Sequence, residues 1–399
     1  MDLALRDISH HKGKFIATII GIGLLFAVVL SMNGIYRGFI FEGLSTIQVT
    51  SPDLWVVERY RGGPFNEQST IPDFFHYSIE ALAGVEKASP FIFYGVERVI
   101  NGKRKRFTII GYDVFGGLGG PQKLTAGRHI RQAHYEMVAH EKLKFGLGDK
   151  IPLGLHNYTV VGLFNDGTAP DGEALVYLSL PDAQEILYLR DNEEIRNQRE
   201  RLQQTLTGPG LLLPAQAQKY VALLEPNTHT VNAHLVKLAP GANPMEVARQ
   251  IENNLYFSAY TNDQQIDLMM QGRLAMPRKQ LLLFRIILLI VSVVIISLVI
   301  YTFTMEKIRS IAVMKLIGAP NGVIVRLVME QSLLLTISAF LFGLALIQST
   351  YQLFPKTILR VPGDDLLTFI VAFGGGILAS ILGLWQAMKT QPAMALGGQ

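Results

Sequence analysis

The sequence contains no cysteine among its 399 residues. That absence excludes a disulfide framework, thiolate metal sites, iron–sulfur ligation and cysteine nucleophiles together. It leaves the redox compartment open, because a domain with a sufficient core needs no staples. Charge is also scarce: Asp, Glu, Lys and Arg make up 17% of the chain, against 49% hydrophobic residues. Such a balance is low for a soluble protein and points to a membrane protein. The formal net charge of +4 is too small for this length to suggest a nucleic-acid partner. Catalytic signatures are missing as well. There is no G-x-x-x-x-G-K-[ST] to cradle a nucleoside triphosphate and no G-x-S-x-G nucleophile elbow. The run "GGLGG" at residues 116–120 lacks dinucleotide spacing and leads into Pro121, so it reads as a loop. His129, His134 and His140 fall in one region and His229 and His234 in another, but none has H-E-x-x-H spacing, and Glu141 has no second histidine four residues on. They read as ordinary surface histidines, and the chain reads as a non-enzyme that binds no metal or cofactor itself.

What is present is a set of apolar runs at residues 15–35, 281–303, 323–352 and 366–388. Each meets the roughly 20 residues that a helix rising about 1.5 Å per residue needs to cross a bilayer. The first follows Arg6, Lys12 and Lys14 as a signal peptide would, but its apolar core is longer than a usual h-region and no A-x-A cleavage site follows. It reads as a retained anchor. Lys and Arg in short flanks are retained on the cytoplasmic side. Arg6, Lys12 and Lys14, then Lys307, Arg309, Lys315 and Arg326, then Lys389 therefore mark the inside, while Lys356 and Arg360 are accompanied by Asp364 and Asp365. The expected organisation is a cytoplasmic amphipathic segment (1–14), a first span, a large extracytoplasmic domain (37–280), a second span, a short cytoplasmic helix (304–322), a third span, an outer loop (353–365), a fourth span and a cytoplasmic tail (389–399). Both termini are expected in the cytoplasm.

The large insertion reads as mixed α/β. "FYGVERVINGKRKRFTIIGYD" carries two alternating runs around Asn101-Gly102, a dipeptide that tolerates positive φ at both positions of a type I′ hairpin turn. Residues 158–164, 174–178 and 231–238 are further strand-like runs. In "NPMEVARQIENNL", Asn243 is expected as N-cap and Pro244 at the first helical position, with Glu246 reaching back to the cap backbone. Ser179 and Asp182 give the same S-x-x-D logic. Between these helices, "RDNEEIRNQRERLQQTL" reads as a solvated helix. Leu211, Leu212 and Leu213 then either pack onto their own domain or form an exposed tip that touches a partner.

The spans hold few ionisable groups, which argues against a proton relay or an ion path through them. Arg285 is about one turn from the outer end of the second span; snorkelling to the interface is the preferred reading and pairing with Asp364 or Asp365 the alternative. Glu330, near the inner end of the third span, reads similarly. Ala17 and Gly21 in the first span, and Gly375, Ala379 and Gly383 in the fourth, recur at four-residue intervals. They form small faces that let helices approach closely, within one subunit or between two.

Three stretches then carry a family resemblance. "LALRDISHHKGKFIATIIGIGL" is similar to the basic N-terminal helix and first span of the FtsX-like, MacB-type ABC transporter permeases. "TMEKIRSIAVMKLIGAPNGVIVRLVMEQSLLL" resembles their segment between the second and third spans, with Ser310 where the family often has Glu. "AMKTQPAMAL" resembles their C-terminal tail. "IIGYD", "LTAGRHI", "KLKFGLGDKIPLG" and "VKLAPGANPMEVARQIE" follow in the order of the MacB-type periplasmic domain, and the loops resemble most the permeases of heterocyst-glycolipid (Dev-type) exporters. The resemblance implies a homodimer of four-span permeases in the inner membrane. Its implied partners are a separate cytoplasmic ATPase that supplies ATP, a periplasmic adaptor (membrane fusion protein) and an outer-membrane channel. It also implies mechanotransmission in place of a substrate path between helices. An FtsX-like regulator of a periplasmic cell-wall hydrolase and a lipoprotein-extracting permease are the alternatives. The residues expected to couple to the ATPase are Glu306, Ile308, Arg309, Ile311, Ala312, Lys315 and Gly318. Ile308, Ile311, Ala312 and Lys315 share one helical face.

Overall fold

The computed structural model describes residues 12–100, 102–187, 201, 205, 229–306, 308–354 and 357–389; of 303, 304, 308–311, 352, 372, 376, 378–380 and 382–389 the backbone alone is described. The polar stretch after Tyr188 and the Leu211–Leu213 run lie outside the described residues. Two compact units divide the chain, one of Met1–Ile40 with Pro277–Gln399 and one of Phe41–Met276.

Helix α1 (Lys12–Thr50) runs unbroken for 39 residues, 15 beyond the apolar run read as a first span. The reason lies in its last turns, which belong to the 41–276 unit: Thr46 Oγ1 donates to the Thr168 carbonyl at 2.7 Å, and Thr168 N donates to Ser45 Oγ at 3.1 Å. The 41–276 unit therefore begins inside a helix.

In chain order the unit then contains β1 (Leu54–Val57), β2 (Ile71–Pro72), α2 (Phe75–Glu80), β3 (Val85–Ile100), β4 (Lys103–Tyr112), β5 (Ala126–Gly127), β6 (Glu136–His140), β7 (Lys150–Leu153), β8 (His156–Phe164) and β9 (Ala174–Ser179). It continues with helix α3 over residues 180–187, β10 (Thr230–Val231), β11 (Ala233–Leu238), α4 (Pro244–Asn254), β12 (Ser258–Thr261) and α5 (Asn262–Gln271). One mixed sheet runs β12-β1-β11-β3-β4-β9-β6-β8-β5, with β7 beside β8; β4/β9 and β6/β8 are the parallel pairs. The hairpin read at Asn101-Gly102 is present: Ile100 pairs with Lys103 across a two-residue connection in which Gly102 takes φ 73°. Asn243 caps α4, its side chain accepting from Met245 N at 3.0 Å. That bond leaves no capping box, because Pro244 moves the free N–H to the second helical position. Ser179 Oγ likewise accepts from Asp182 N at 3.4 Å, but the Asp182 carboxylate turns away to accept from Tyr135 N at 2.8 Å. The reciprocal box sits instead at Thr261 and Gln264, which open α5.

Two histidines differ from the surface reading. His140 and His234 are 1% and 0% exposed. Burial disfavours the charged imidazolium and pushes them down to about 4 and about 3. In both cases the unfolded chain takes up a proton near pH 6.5 that the folded unit refuses, so stability is full above that pH and falls as pH drops toward the folded values. Between pH 7.5 and 5 His234 alone is expected to remove roughly 2 kcal/mol. Thermal unfolding of the full chain in detergent at the two pH values checks this, and His234→Gln should flatten the acid loss.

The other unit holds α6 (Ala275–Glu306, whose first residues precede the boundary), α7 (Ile308–Leu316), α8 (Asn321–Thr350) and α9 (Pro362–Lys389). Among the described residues three helices are long and apolar enough to cross a membrane: Lys12–Thr50, Ala275–Thr302 and Asn321–Thr350. Phe26 and Phe340 meet edge-on at 5.5 Å, within an apolar core that also takes Ile22, Leu30, Ile296, Ile300 and Ala339.

Within this chain the close approach of the first span lies beside the small face of Ala17 and Gly21. Ala17 and Gly21 are exposed, and a Cβ at Gly21 would meet nothing within 4 Å. Two residues on, a Cβ at Gly23 would lie 2.5 Å from the Phe342 ring, and one at Gly343 would lie 2.8 Å from the Gly23 carbonyl. Gly375 does pack, since its Cβ would lie 2.8 Å from Val293; the side-chain surroundings of Ala379 and Gly383 lie outside the described residues. Gly34 and Gly38, also four apart, receive the segment that precedes α9: Leu359 N donates to the Gly34 carbonyl at 3.1 Å, and a Cβ at Gly38 would fall 1.7 Å from the Thr357 carbonyl oxygen. Gly38→Ala is therefore expected to expel residues 357–360 from α1 at a cost of about 2 kcal/mol, read as a lower unfolding midpoint in detergent.

Candidate functional site

Two places in the helical unit combine polarity or exposure with an otherwise apolar surround. The first is a charged hub. Asp364, in the first turn of α9, accepts from Arg37 Nε of α1 at 2.6 Å and from Arg37 Nη2 at 3.1 Å. Its Oδ1 also accepts from Arg285 Nη2 of α6 at 3.3 Å. The preferred reading of Arg285 as a snorkelling side chain is thus corrected. It is 13% exposed, lies 5.9 Å from the Tyr36 ring centroid, and pairs with Asp364 at the start of α9. Next to it Asn33 Nδ2 donates to Thr368 Oγ1 at 2.8 Å, and Thr368 Oγ1 donates to the Asp364 carbonyl at 2.9 Å. Arg360 pairs with Asp365 at 2.6 Å and donates to Gln348 Oε1 of α8 at 2.8 Å. Side chains from α1, α6, α8 and α9 therefore meet in one polar band. Five charges neutralise one another to leave a single excess positive charge, Arg37, Arg285 and Arg360 standing against Asp364 and Asp365. Such a band can lock helices in register, because separating Arg285 from Asp364 strands two largely buried charges.

The second place is the short segment between α6 and α8. α7 spans Ile308–Leu316 and ends in a Schellman turn: Ala319 N donates to the Met314 carbonyl at 3.0 Å and Gly318 N to the Lys315 carbonyl at 3.0 Å. Gly318 takes φ 93°, the left-handed conformation this turn demands and glycine supplies without strain. Pro320 follows at φ −66° as the N-cap of α8 and turns the chain. Met314 packs on Ile324 and Val328. Ala312 is 5% exposed, so it belongs to the inner side and not to an outward face with Lys315. The apolar side chains turned outward are Val313, Leu316 and Ile317, at 41%, 62% and 81% exposure. Ile308, Arg309 and Ile311 lie on the helix backbone, with side chains outside the described residues. Glu306 forms an ion pair with Lys14, joining the end of α6 to the start of α1. Glu330 pairs with Arg326 one turn away at 2.9 Å, and Arg326 is 74% exposed.

No set of three His, Asp or Glu side chains is arranged to hold a metal among the described residues. His134 Nδ1 lies 2.8 Å from buried Asp182, and His229 Nδ1 3.7 Å from Asp73, each a pairwise contact.

An unbroken apolar helix feeding a mixed α/β insertion, followed by further apolar helices with a short exposed segment between two of them, defines an integral membrane protein with a large domain between its first and second spans. The chain belongs to the FtsX-like, MacB-type ABC transporter permease family: residues 15–254 match the MacB-like periplasmic core domain and residues 282–392 the FtsX-like permease C-terminal region. It is similar to the uncharacterized ABC transporter permease Rv0072 of Mycobacterium tuberculosis, 26% identical over 99% of both chains. The uncharacterized ABC transporter permease Mb2592 of Mycobacterium bovis is 24% identical, again over 99% of both. Among solved structures, the periplasmic region of MacB from Actinobacillus actinomycetemcomitans aligns at TM-score 0.33 and 11% identity, covering 54% of this chain and 92% of that one.

Proposed function

We propose that this chain is the permease subunit of an ATP-driven export system in the inner membrane. In this reading it couples a separate cytoplasmic ATPase to movement of its periplasmic domain and to export of a hydrophobic or amphipathic substrate. The observation that carries the reading is the α7 segment. Its outward face is apolar at Val313, Leu316 and Ile317 although it joins two helices that return to the bilayer. An exposed apolar face at a membrane surface is stable only against a partner or lipid.

Four spans are proposed, the fourth along α9, with both termini and α7 in the cytoplasm. The chain itself binds no nucleotide and ATP is held by the partner. Two copies pair, and a periplasmic adaptor and an outer-membrane channel complete the route, with Dev-type amphiphiles as the model for the substrate. The polar band around Asp364 then acts as the element that passes helix motion onward, because α1 continues without a break into residues 41–50. Ile311→Glu and Lys315→Glu should each leave the protein inserted and reduce the ATPase recovered with it. Recovery at the wild-type yield contradicts the docking assignment.

A further inference from the structure

The 41–276 unit carries an exposed aromatic ridge that no step above uses. Phe74 stacks on Phe75 at 4.9 Å, Phe75 meets Phe257 edge-on at 4.9 Å, and Phe257 is followed back along the chain by Tyr256. The Arg59 guanidinium then lies 5.2 Å from the Tyr256 ring centroid and 5.1 Å from that of Tyr60. Phe74, Tyr256 and Tyr60 are 52%, 66% and 83% exposed.

Two features set this ridge apart from scattered surface aromatics. Tyr60 and Tyr256 take φ values of 65° and 60°, in the left-handed region that side chains with a Cβ avoid. Tyr256 stands just after the Leu255 C-cap of α4, where glycine is the usual residue. Folding is better served by glycine at both positions, so the strain is held for another purpose. The second feature is charge. Arg61 is within ion-pair distance of Glu58 and Glu67, at 3.7 and 3.6 Å, whereas Arg59 has no carboxylate partner among the described residues. Two rings lie within reach of its guanidinium, and among the described residues no carboxylate takes its N–H groups, which form the fork that recognises a carboxylate bidentately.

We infer that this ridge docks a protein partner outside the membrane that presents a carboxylate flanked by apolar side chains. Tyr, Phe and Arg are enriched in the buried centres of protein interfaces, and the guanidinium selects an acid over a neutral glycan, which offers it no counter-charge. The inference does not rest on the export reading, since it concerns the recognition chemistry of this surface alone.

The test pans a random short-peptide library on the full chain in nanodiscs. Peptides enriched on the wild type should carry Asp or Glu between apolar residues. Their affinity should fall at least about tenfold on Arg59→Lys, which keeps the charge and loses the fork. Tyr60→Gly should weaken the same peptides while raising the unfolding midpoint by about 2–4 °C, a combination that damage to the fold does not produce. Equal enrichment of neutral peptides, unchanged binding to Arg59→Lys, or a saturable response to chitohexaose in place of peptide enrichment would overturn the assignment.

Discussion

Asp364→Ala should lower the stability of the membrane unit by roughly 3 kcal/mol, because it leaves two arginines without their shared counter-ion. The larger part comes from Arg285, which is 13% exposed; Arg37, 44% exposed, can swing out and recover some solvation. Charge is the source of the effect and side-chain volume contributes little, so Asp364→Asn should show most of it. Combining Asp364→Asn with Arg285→Gln should restore part of the loss, since the double variant strands one fewer charge. The measurement is thermal unfolding in detergent with the single and double variants side by side. Additive losses would show that the hub is not a coupled unit.

The second large effect is expected at α7. The double change Leu316→Glu and Ile317→Glu places two carboxylates on the most exposed apolar positions of the segment, at 62% and 81% exposure. Both side chains already face outward, so insertion and folding should be unchanged. Affinity for the ATPase should drop by two orders of magnitude or more, about 3 kcal/mol, as when charges are buried unpaired at an interface centre. Val313→Ala, at the more covered edge of the same face, should cost less than about 1 kcal/mol. Binding measured in nanodiscs separates these outcomes, and equal effects from all three positions would argue for a docking face elsewhere on the segment.

What could be read in advance follows the reach of each signal along the chain. The β3–β4 hairpin and the Asn243 cap are written in adjacent residues, with geometry fixed by turn and cap chemistry over a few positions. The apolar runs are equally local, as is the Gly318-Ala319-Pro320 stop after α7. The orientation of each helix about its axis is not. α1 is apolar nearly all round, so nothing in the sequence distinguishes a face through Gly21 from one through Gly23, and the structure buries the latter. Gly34 and Gly38 do carry a legible four-residue spacing, but what covers them is a segment more than 300 residues away. The Arg285–Asp364 pair was one of two readings because sequence distance gives no preference between a distant carboxylate and the nearby interface. Ala312 fell on the inner side for the same reason: a helix of nine residues with apolar groups on several sides does not declare which side its neighbour takes.

The lack of cysteine allows the most direct test of the central claim, that α7 is a cytoplasmic surface covered by an ATPase. Ile317→Cys introduces the only thiol in the chain. A membrane-impermeant maleimide added to intact spheroplasts should leave it unlabelled, label it after permeabilisation, and lose that labelling when the ATPase and ATP are supplied. Labelling from outside intact spheroplasts, or labelling that the ATPase does not change, contradicts the account.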